Sequence, residues 1–533
     1  MDNSQQRTKQ GRSAVRAALP GILLVMFLGT LDQTVMASAL PTVAGDLGGL
    51  DQMPTIITGY LVAATAAMPL TGKLGDAFGR KRVLQGSLAF FVIGAALCSL
   101  AQSVPQLIGF RAVQGIGGGG LMIGAQSVIG ELVSPRERGR LLGIIGAAYV
   151  TAAVAGPLAG GAVVDHFSWR WIFYFYVPLG LAAFAVVSFT LHLPATPRGR
   201  QVDYGGAALL CVAIVALILL CSGGSFPAPA WFPPVLGAVG FAALALWLYV
   251  SRRSPDPIIP LALFRDSAFA IPTAVSFLVG FAMFATLSYL PAFLQVGMGM
   301  SATASGGTLI ALMAGFLLTT TGSGALITLT GRYKLYPVAG TLLGVPGMWL
   351  FSTMDSSSGP WLVLLSMLLL GLGIGLVMQV MVLVVQNSVQ RRDLGAATST
   401  VTFLRQVGAA VGVAVLGSLI TVRFAAAVPA PLAAQLGDRI KSLTPQALAD
   451  LPPADRAAVA QAFGHALPPV FGFAAIVLAA AFVLTLFLPE RELRTTAHSD
   501  APHADAPDST DRTARGGSDD RAENRHPGRF RHR

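Results

Sequence analysis

Charge is what this sequence has least of. Asp, Glu, Lys and Arg make up 11% of its 533 residues, where soluble domains run at about 25%. A soluble chain of this length would need charged surfaces that the composition does not supply. Cysteine is scarce too, three in all, which excludes a disulfide scaffold. Apolar residues are abundant instead, at 54% with a mean hydropathy of +0.66, which excludes a disordered chain. The composition is that of a polytopic membrane protein. In a soluble protein a net charge of +11 would raise nucleic acid as a partner. Here the bases are spread over short connectors and a tail, so no nucleic-acid partner is expected.

Fourteen stretches reach the roughly 20 apolar residues that a membrane helix needs. They are 18–39, 53–71, 83–101, 106–130, 140–163, 170–192, 204–222, 231–250, 268–290, 304–328, 335–353, 361–386, 398–423 and 469–488. Charge bias supports the count. The arm over residues 1–17 is basic, and alternate connectors carry bases such as Lys73, Arg80, Lys81 and Arg82; Arg136, Arg138 and Arg140; Arg198 and Arg200; Arg252 and Arg253; Arg332 and Lys334; Arg391 and Arg392. The short connectors between them, such as 40–52, 102–105 and 164–169, carry none. Both termini are therefore expected on the cytoplasmic side. The first apolar run continues through Asp32 towards Pro41, longer than a signal h-region, so it reads as a span.

The layout is a basic arm (1–17), six spans (18–192), two inserted spans (204–250) and six more (268–488). An external loop at 424–468, with a short amphipathic helix near Asp455–Leu467, interrupts the last group. A polar tail over 489–533 is expected to be disordered. The class is all-α, with six plus two plus six transmembrane helices. Arg outnumbers Lys by 31 to 5. With the high Ala and Gly content, that points to a GC-rich bacterial genome and the cytoplasmic membrane.

A charged residue at mid-membrane costs roughly 2.5–3.5 kcal/mol on insertion scales, so each one is a functional candidate. Asp32 in the first span, Arg111 in the fourth and Arg405 in the thirteenth qualify. Asp32 is the carboxylate placed well inside a span. Desolvation there suits a proton carrier, and Arg111 is expected to face the cavity and tune its proton affinity. Arg405 lies near the cytoplasmic end of its span, where it could snorkel or serve a functional role.

Gly115-Ile116-Gly117-Gly118-Gly119-Gly120 contains a literal G-x-G-x-x-G, but no strand precedes it and it lies in an apolar span. The nucleotide reading fails on context, and close helix approach replaces it. Seven histidines are scattered without metal-ligand spacing, and no nucleophilic constellation can be assembled. No cofactor, metal or enzyme activity is expected.

Gly72-Lys73-Leu74-Gly75-Asp76-Ala77-Phe78-Gly79-Arg80-Lys81-Arg82 is far more specific, because membrane anchoring alone needs no glycines or acid at these offsets. It resembles the signature loop of the major facilitator superfamily, which implies a conformational latch formed by Gly72, Gly75, Asp76, Gly79 and Arg80. Leu107-x-x-x-Arg111-x-x-Gln114-Gly115-x-Gly117 is similar to the family's span-four motif, in which the Arg is implicated in proton coupling. Gly143, Gly156, Pro157, Gly160 and Gly161 resemble the span-five motif of antiporters, with Ala152 in place of one glycine, and imply a pliable helix where two bundles meet. Leu31–Pro41 resembles the first-span motif of the fourteen-helix drug:proton antiporters of the EmrB/QacA type.

The resemblance covers about residues 15–490. It implies a major facilitator fold and proton-coupled export of amphiphilic small molecules by a monomer in a lipid bilayer. The alternatives are a dedicated exporter of a lipid or secondary metabolite, and a non-transporting sensor. The second-half counterpart of the latch loop, Gly331-Arg332-Tyr333-Lys334, is degenerate. No second-half span carries an acid of the kind that binds dications in some relatives, which favours monocationic, zwitterionic or neutral substrates. Candidate pocket residues are Met36, Gln114, Tyr149, Phe281, Phe284, Tyr289, Met378 and Gln379.

Overall fold

The computed structural model describes residues 2–47, 52–193, 202–222, 229, 231–300, 302–355, 358–429 and 452–494. These residues form helices joined by short connectors, with no strand among them. The first six helices are α1 (Asp2–Asp46), α2 (Met53–Phe78), α3 (Arg80–Ser99), α4 (Val104–Leu132), α5 (Pro135–His166) and α6 (Arg170–Thr190). They pack on one another as an N-terminal bundle. The arm over residues 2–17 continues α1 as helix.

The inserted pair is α7 (Tyr204–Cys221) and α8 (Phe232–Arg253), with Asp203 capping α7 by accepting from the Gly206 amide. The second bundle begins with α9 (Ser267–Val279), a π-helical turn (Gly280–Phe284), α10 (Ala285–Ala292) and a second π-helical turn (Phe293–Gly297). It continues with α11 (Ala302–Thr330), α12 (Leu335–Ser352), α13 (Pro360–Ser388) and α14 (Leu394–Ala427), and ends with α15 (Pro453–Ala466) and α16 (Pro468–Leu486). The π turns disturb a span that holds Pro272 and Pro291, residues without an amide proton to give to the helix ladder.

Among the described residues, thirteen helical spans are long and apolar enough to cross a membrane. The fourteenth, α4, falls outside that set because eight of its 29 residues are glycine and it carries Arg111. At about 1.5 Å per residue it is nonetheless long enough to cross. The glycines explain its place. A Cβ at Gly115, Gly118 or Gly119 would strike α2 at Tyr60 or Ala64, and one at Gly117 or Gly120 would strike α3 at Ser87 or Phe91. The helix is wedged between two neighbours at backbone distance.

Three expectations are corrected. Arg405 does not snorkel. Its helix starts at Leu394 rather than 398, which sets it about 16 Å in from the basic end at 1.5 Å per residue, and it is 4% exposed. The tail is ordered and packed to Arg494. Tyr333 donates its hydroxyl to the Pro489 carbonyl and accepts from the Arg491 amide, Arg491 pairs with Asp266, and Asn387 bonds Glu492 and Arg494. The antiporter-type glycines of α5 divide their contacts, as set out below. Residues 495–533 of the tail, residues 430–451 of the external loop, and Arg198 and Arg200 lie outside the described residues. The remainder of that loop includes α15, which packs on the end of α14, with Phe463 against Phe424 at 4.5 Å.

Candidate functional site

Asp32 lies in the middle of α1 and is 0% exposed. Arg111 of α4 donates from Nη1 to both of its oxygens at 2.8 and 2.9 Å. Gln114, one turn along α4, accepts from Arg111 at 3.0 Å and donates to Asp32 at 3.0 Å. The Tyr60 ring stacks under the guanidinium, 4.3 Å from its centroid, and Cys98 reaches Gln114 at 3.7 Å. Helical spacing puts Arg111 and Gln114 on one face, and the glycine strip beyond them brings α4 close enough to α2 for Tyr60 to lie beneath the pair. Among the described residues, the acids other than Asp32 all lie near helix ends or in connectors. A carboxylate and a guanidinium removed from water together depend on each other, because loss of one leaves the other as an uncompensated charge. Protonating Asp32 would remove the partner of a buried cation.

The signature loop joins the two bundles. Gly79, at φ 96°, turns α2 directly into α3, a conformation that favours glycine. Asp76 accepts from the Gly395 and Ala396 amides at 2.9 and 2.8 Å, at the first turn of α14, where unpaired amides and the helix dipole favour an anion. Arg80 bonds Asp76 at 2.8 Å, Glu131 at 2.9 Å and the Arg391 carbonyl at 3.1 Å, and Arg391 in turn pairs with Glu131. Gly72 lies so near α14 that a Cβ would meet Ser399 Oγ at 2.3 Å. Gly75 sits beside Arg80. Lys73 is buried and pairs with Asp256, in the connector that leaves the inserted helices.

The basic half of α5 forms the second seam. A Cβ on Gly139, Gly143 or Gly146 would meet Gly324, Thr321 or Thr320 of α11. Higher on α5, Gly156 and Gly160 press on Thr34, Val35 and Ser38 of α1, within the N-terminal bundle, and Gly161 is open. Pro157 sits between them, inside the helix. Of this motif, only Gly143 lies at the bundle seam.

Most of the candidate pocket residues do not converge. Met36 is core, and Gln114 belongs to the Asp32 cluster. Phe281 packs on Phe473, Phe284 closes the first π turn half-buried, and Tyr289 ties α10 to the Val413 carbonyl of α14. Met378 packs half-buried against the core. Tyr149 stacks on Phe316 at 5.8 Å, and Gln379 Oε1 is buried without a partner among the described residues. Sequence reasoning missed Tyr60, Glu131, Asp256 and the polar contacts Gln126–Thr402 and Gln386–Thr398 between bundles and helices. Glu131 was findable, as an acid at the basic end of α4.

A family model for the Major Facilitator Superfamily matches residues 22–413. The chain belongs to that superfamily. It is 39% identical over 500 residues to an uncharacterized MFS-type transporter of Mycobacterium tuberculosis, covering 92% of this chain and 71% of that one. Two proteins of Bacillus subtilis are also similar. They are the multidrug transporter protein MdtP (33% identity, 78% of this chain and 77% of MdtP) and multidrug resistance protein 3 (31%, 92% and 98%). Among solved structures, the human organic anion transporter MFSD10 superposes with a TM-score of 0.62 at 17% identity, over 88% of this chain and 99% of that one. The proton:xylose symporter XylE gives 0.60 at 14%, over 90% and 97%. At such identities these two structures speak to the fold. The chain is a multi-pass membrane transporter of that superfamily, with multidrug and efflux proteins among its relatives.

Proposed function

We propose that the protein is a proton-coupled exporter of amphiphilic small molecules, working by alternating access between its two six-helix bundles. The observation that carries this reading is the sealed Asp32–Arg111–Gln114 cluster in the membrane core. It is supported by the seam on the basic face, where Asp76 and the α5 glycines hold the bundles together. The named multidrug relatives support the substrate breadth. In this cycle Asp32 takes a proton from the outer side, Arg111 loses its partner, the seam opens and substrate is exchanged. Inward proton release then re-forms the pair. The driving force is adequate, at about 2.3 kcal/mol per charge per 100 mV plus about 1.4 kcal/mol per pH unit.

The test is dye flux in proteoliposomes under an imposed pH gradient. The Asp32→Asn variant strands Arg111 and should be less stable, yet in lipid it should still bind dye and lose gradient-driven flux at least tenfold. Wild-type flux rates in that variant would sink the reading.

A further inference from the structure

Arg405 is the buried charge that the mechanism above does not use. It is 4% exposed in the middle of α14, and no carboxylate, carbonyl or side chain among the described residues hydrogen-bonds it. Its Nε is sealed without a partner. A cation so placed is costly unless an anion or a water-filled space faces it.

Helix periodicity shows which way it faces. Thr398, Thr402 and Arg405 fall at i, i+4 and i+7 of α14, one stripe. Thr398 bonds Gln386 of α13, and Thr402 bonds Gln126 of α4 in the other bundle. That stripe therefore looks onto the space between the bundles, with a polar floor two turns below Arg405. Tyr149 of α5, in the other bundle, is within electrostatic reach of Arg405 and is backed by the Phe316 ring at 5.8 Å. Gln379 stands seven residues before Gln386 on the same face of α13. Its carbonyl oxygen is buried without a donor among the described residues. Counted at about 1.5 Å per residue from the basic ends of their helices, Arg405, Tyr149 and Gln379 lie about 13–21 Å deep. Opposite Arg405, Gly280 opens the first π turn so close to α14 that a Cβ there would meet the Arg405 carbonyl at 2.2 Å. Arg405 is thus held against a backbone irregularity of the kind that often marks functional sites.

From this arrangement we infer that Arg405, with Tyr149 beside it, is a substrate-binding station for the anionic group of an organic acid, a carboxylate on an aromatic or amphiphilic body. A guanidinium offers a flat, paired donor edge that fits a carboxylate, and the Tyr149–Phe316 pair supplies an aromatic wall for the body. Asp32 and Arg111 cancel each other, so Arg405 leaves the core of the described structure with one net positive charge. This moves the substrate class from the monocationic, zwitterionic or neutral molecules expected from sequence to acidic and zwitterionic ones. The inference rests on the exporter reading but is tested apart from it.

The probes are two xanthene dyes of similar shape and opposite charge, fluorescein and rhodamine 6G. Binding is measured to the full chain in phosphatidylcholine nanodiscs, which offer no anionic headgroup as a competitor. Arg405→Gln should weaken fluorescein at least tenfold, leave rhodamine 6G within twofold, and be partly rescued in Arg405→Lys. Absence of fluorescein binding to the wild type overturns the inference, as does an equal effect of Arg405→Gln on both dyes or on neither. If binding discriminates as expected but neither dye crosses a proteoliposome membrane under a pH gradient, the exporter reading fails and the anion station stands.

Discussion

Two arginines are buried in the membrane core, one in each bundle, and their surroundings are opposite. Arg111 is enclosed by Asp32, Gln114 and the Tyr60 ring, whereas Arg405 meets none of these. A paired buried charge is a structural commitment, because removing one partner strands the other. An unpaired one costs stability and is kept for what it binds. In the proposed cycle the proton belongs to the first bundle and the substrate's charge to the second.

Arg111→Met is expected to have the largest effect, since it leaves Asp32 as a lone buried carboxylate. A loss of about 3–5 kcal/mol follows from such a stranded charge, read as a collapse of the thermal transition in detergent. Asp76→Asn is next. It removes the anion from the first turn of α14 and weakens the charge-assisted contacts there, at about 1–2 kcal/mol. A cysteine at Ser399, closed off by Gly72, should then label about 5–30 times more readily. Arg405→Met should go the other way, raising the thermal transition by an amount worth about 1 kcal/mol, because an unpaired charge is replaced by apolar packing. A fall as large as that of Arg111→Met would erase the contrast between the two sites. Tyr333→Phe is the smallest, costing about 1 kcal/mol or less for the bonds to Pro489 and Arg491. It should loosen residues 489–494, seen as faster proteolysis there.

That last variant bears on a second asymmetry. The N-terminal bundle sends a carboxylate, Asp76, to the start of α14. The corresponding loop of the C-terminal bundle, at Gly331–Lys334, has no acid. There the strap at 489–494 reaches across instead, and the Arg494 carbonyl accepts from the Arg136 amide at the start of α5 at 3.4 Å. One seam is held by a carboxylate on helix amides, the other by close glycine packing, backbone and the Arg136 guanidinium, which donates to the Thr328 and Leu329 carbonyls at 3.3 and 3.2 Å.

Much of this was legible in the chain. Asp32, Arg111 and the signature loop stood out because the surrounding sequence is so poor in charge, and the alternation of basic connectors set the span order. Pairings were less legible. Nothing local says that Arg80 meets Glu131, that Lys73 meets Asp256, or that Asp76 caps a helix more than 300 residues on, because these depend on how bundles dock. Arg405 was left open between snorkelling and function because its span was drawn four residues late, and at 1.5 Å per residue that distance separates a buried side chain from one able to snorkel. The strap was missed because polar composition says nothing of a buried tyrosine elsewhere that binds its backbone. The α5 glycines had the right chemistry, but only the helix facing each one decides whether it serves a bundle or the seam.

The central claim is that the transported proton resides on Asp32. It is tested most directly by adding rhodamine 6G at saturation to the purified protein in weakly buffered solution near neutral pH and reading the pH of the medium. The account predicts proton release by the wild type and none by Asp32→Asn, with dye binding retained. Equal release from both proteins would contradict it.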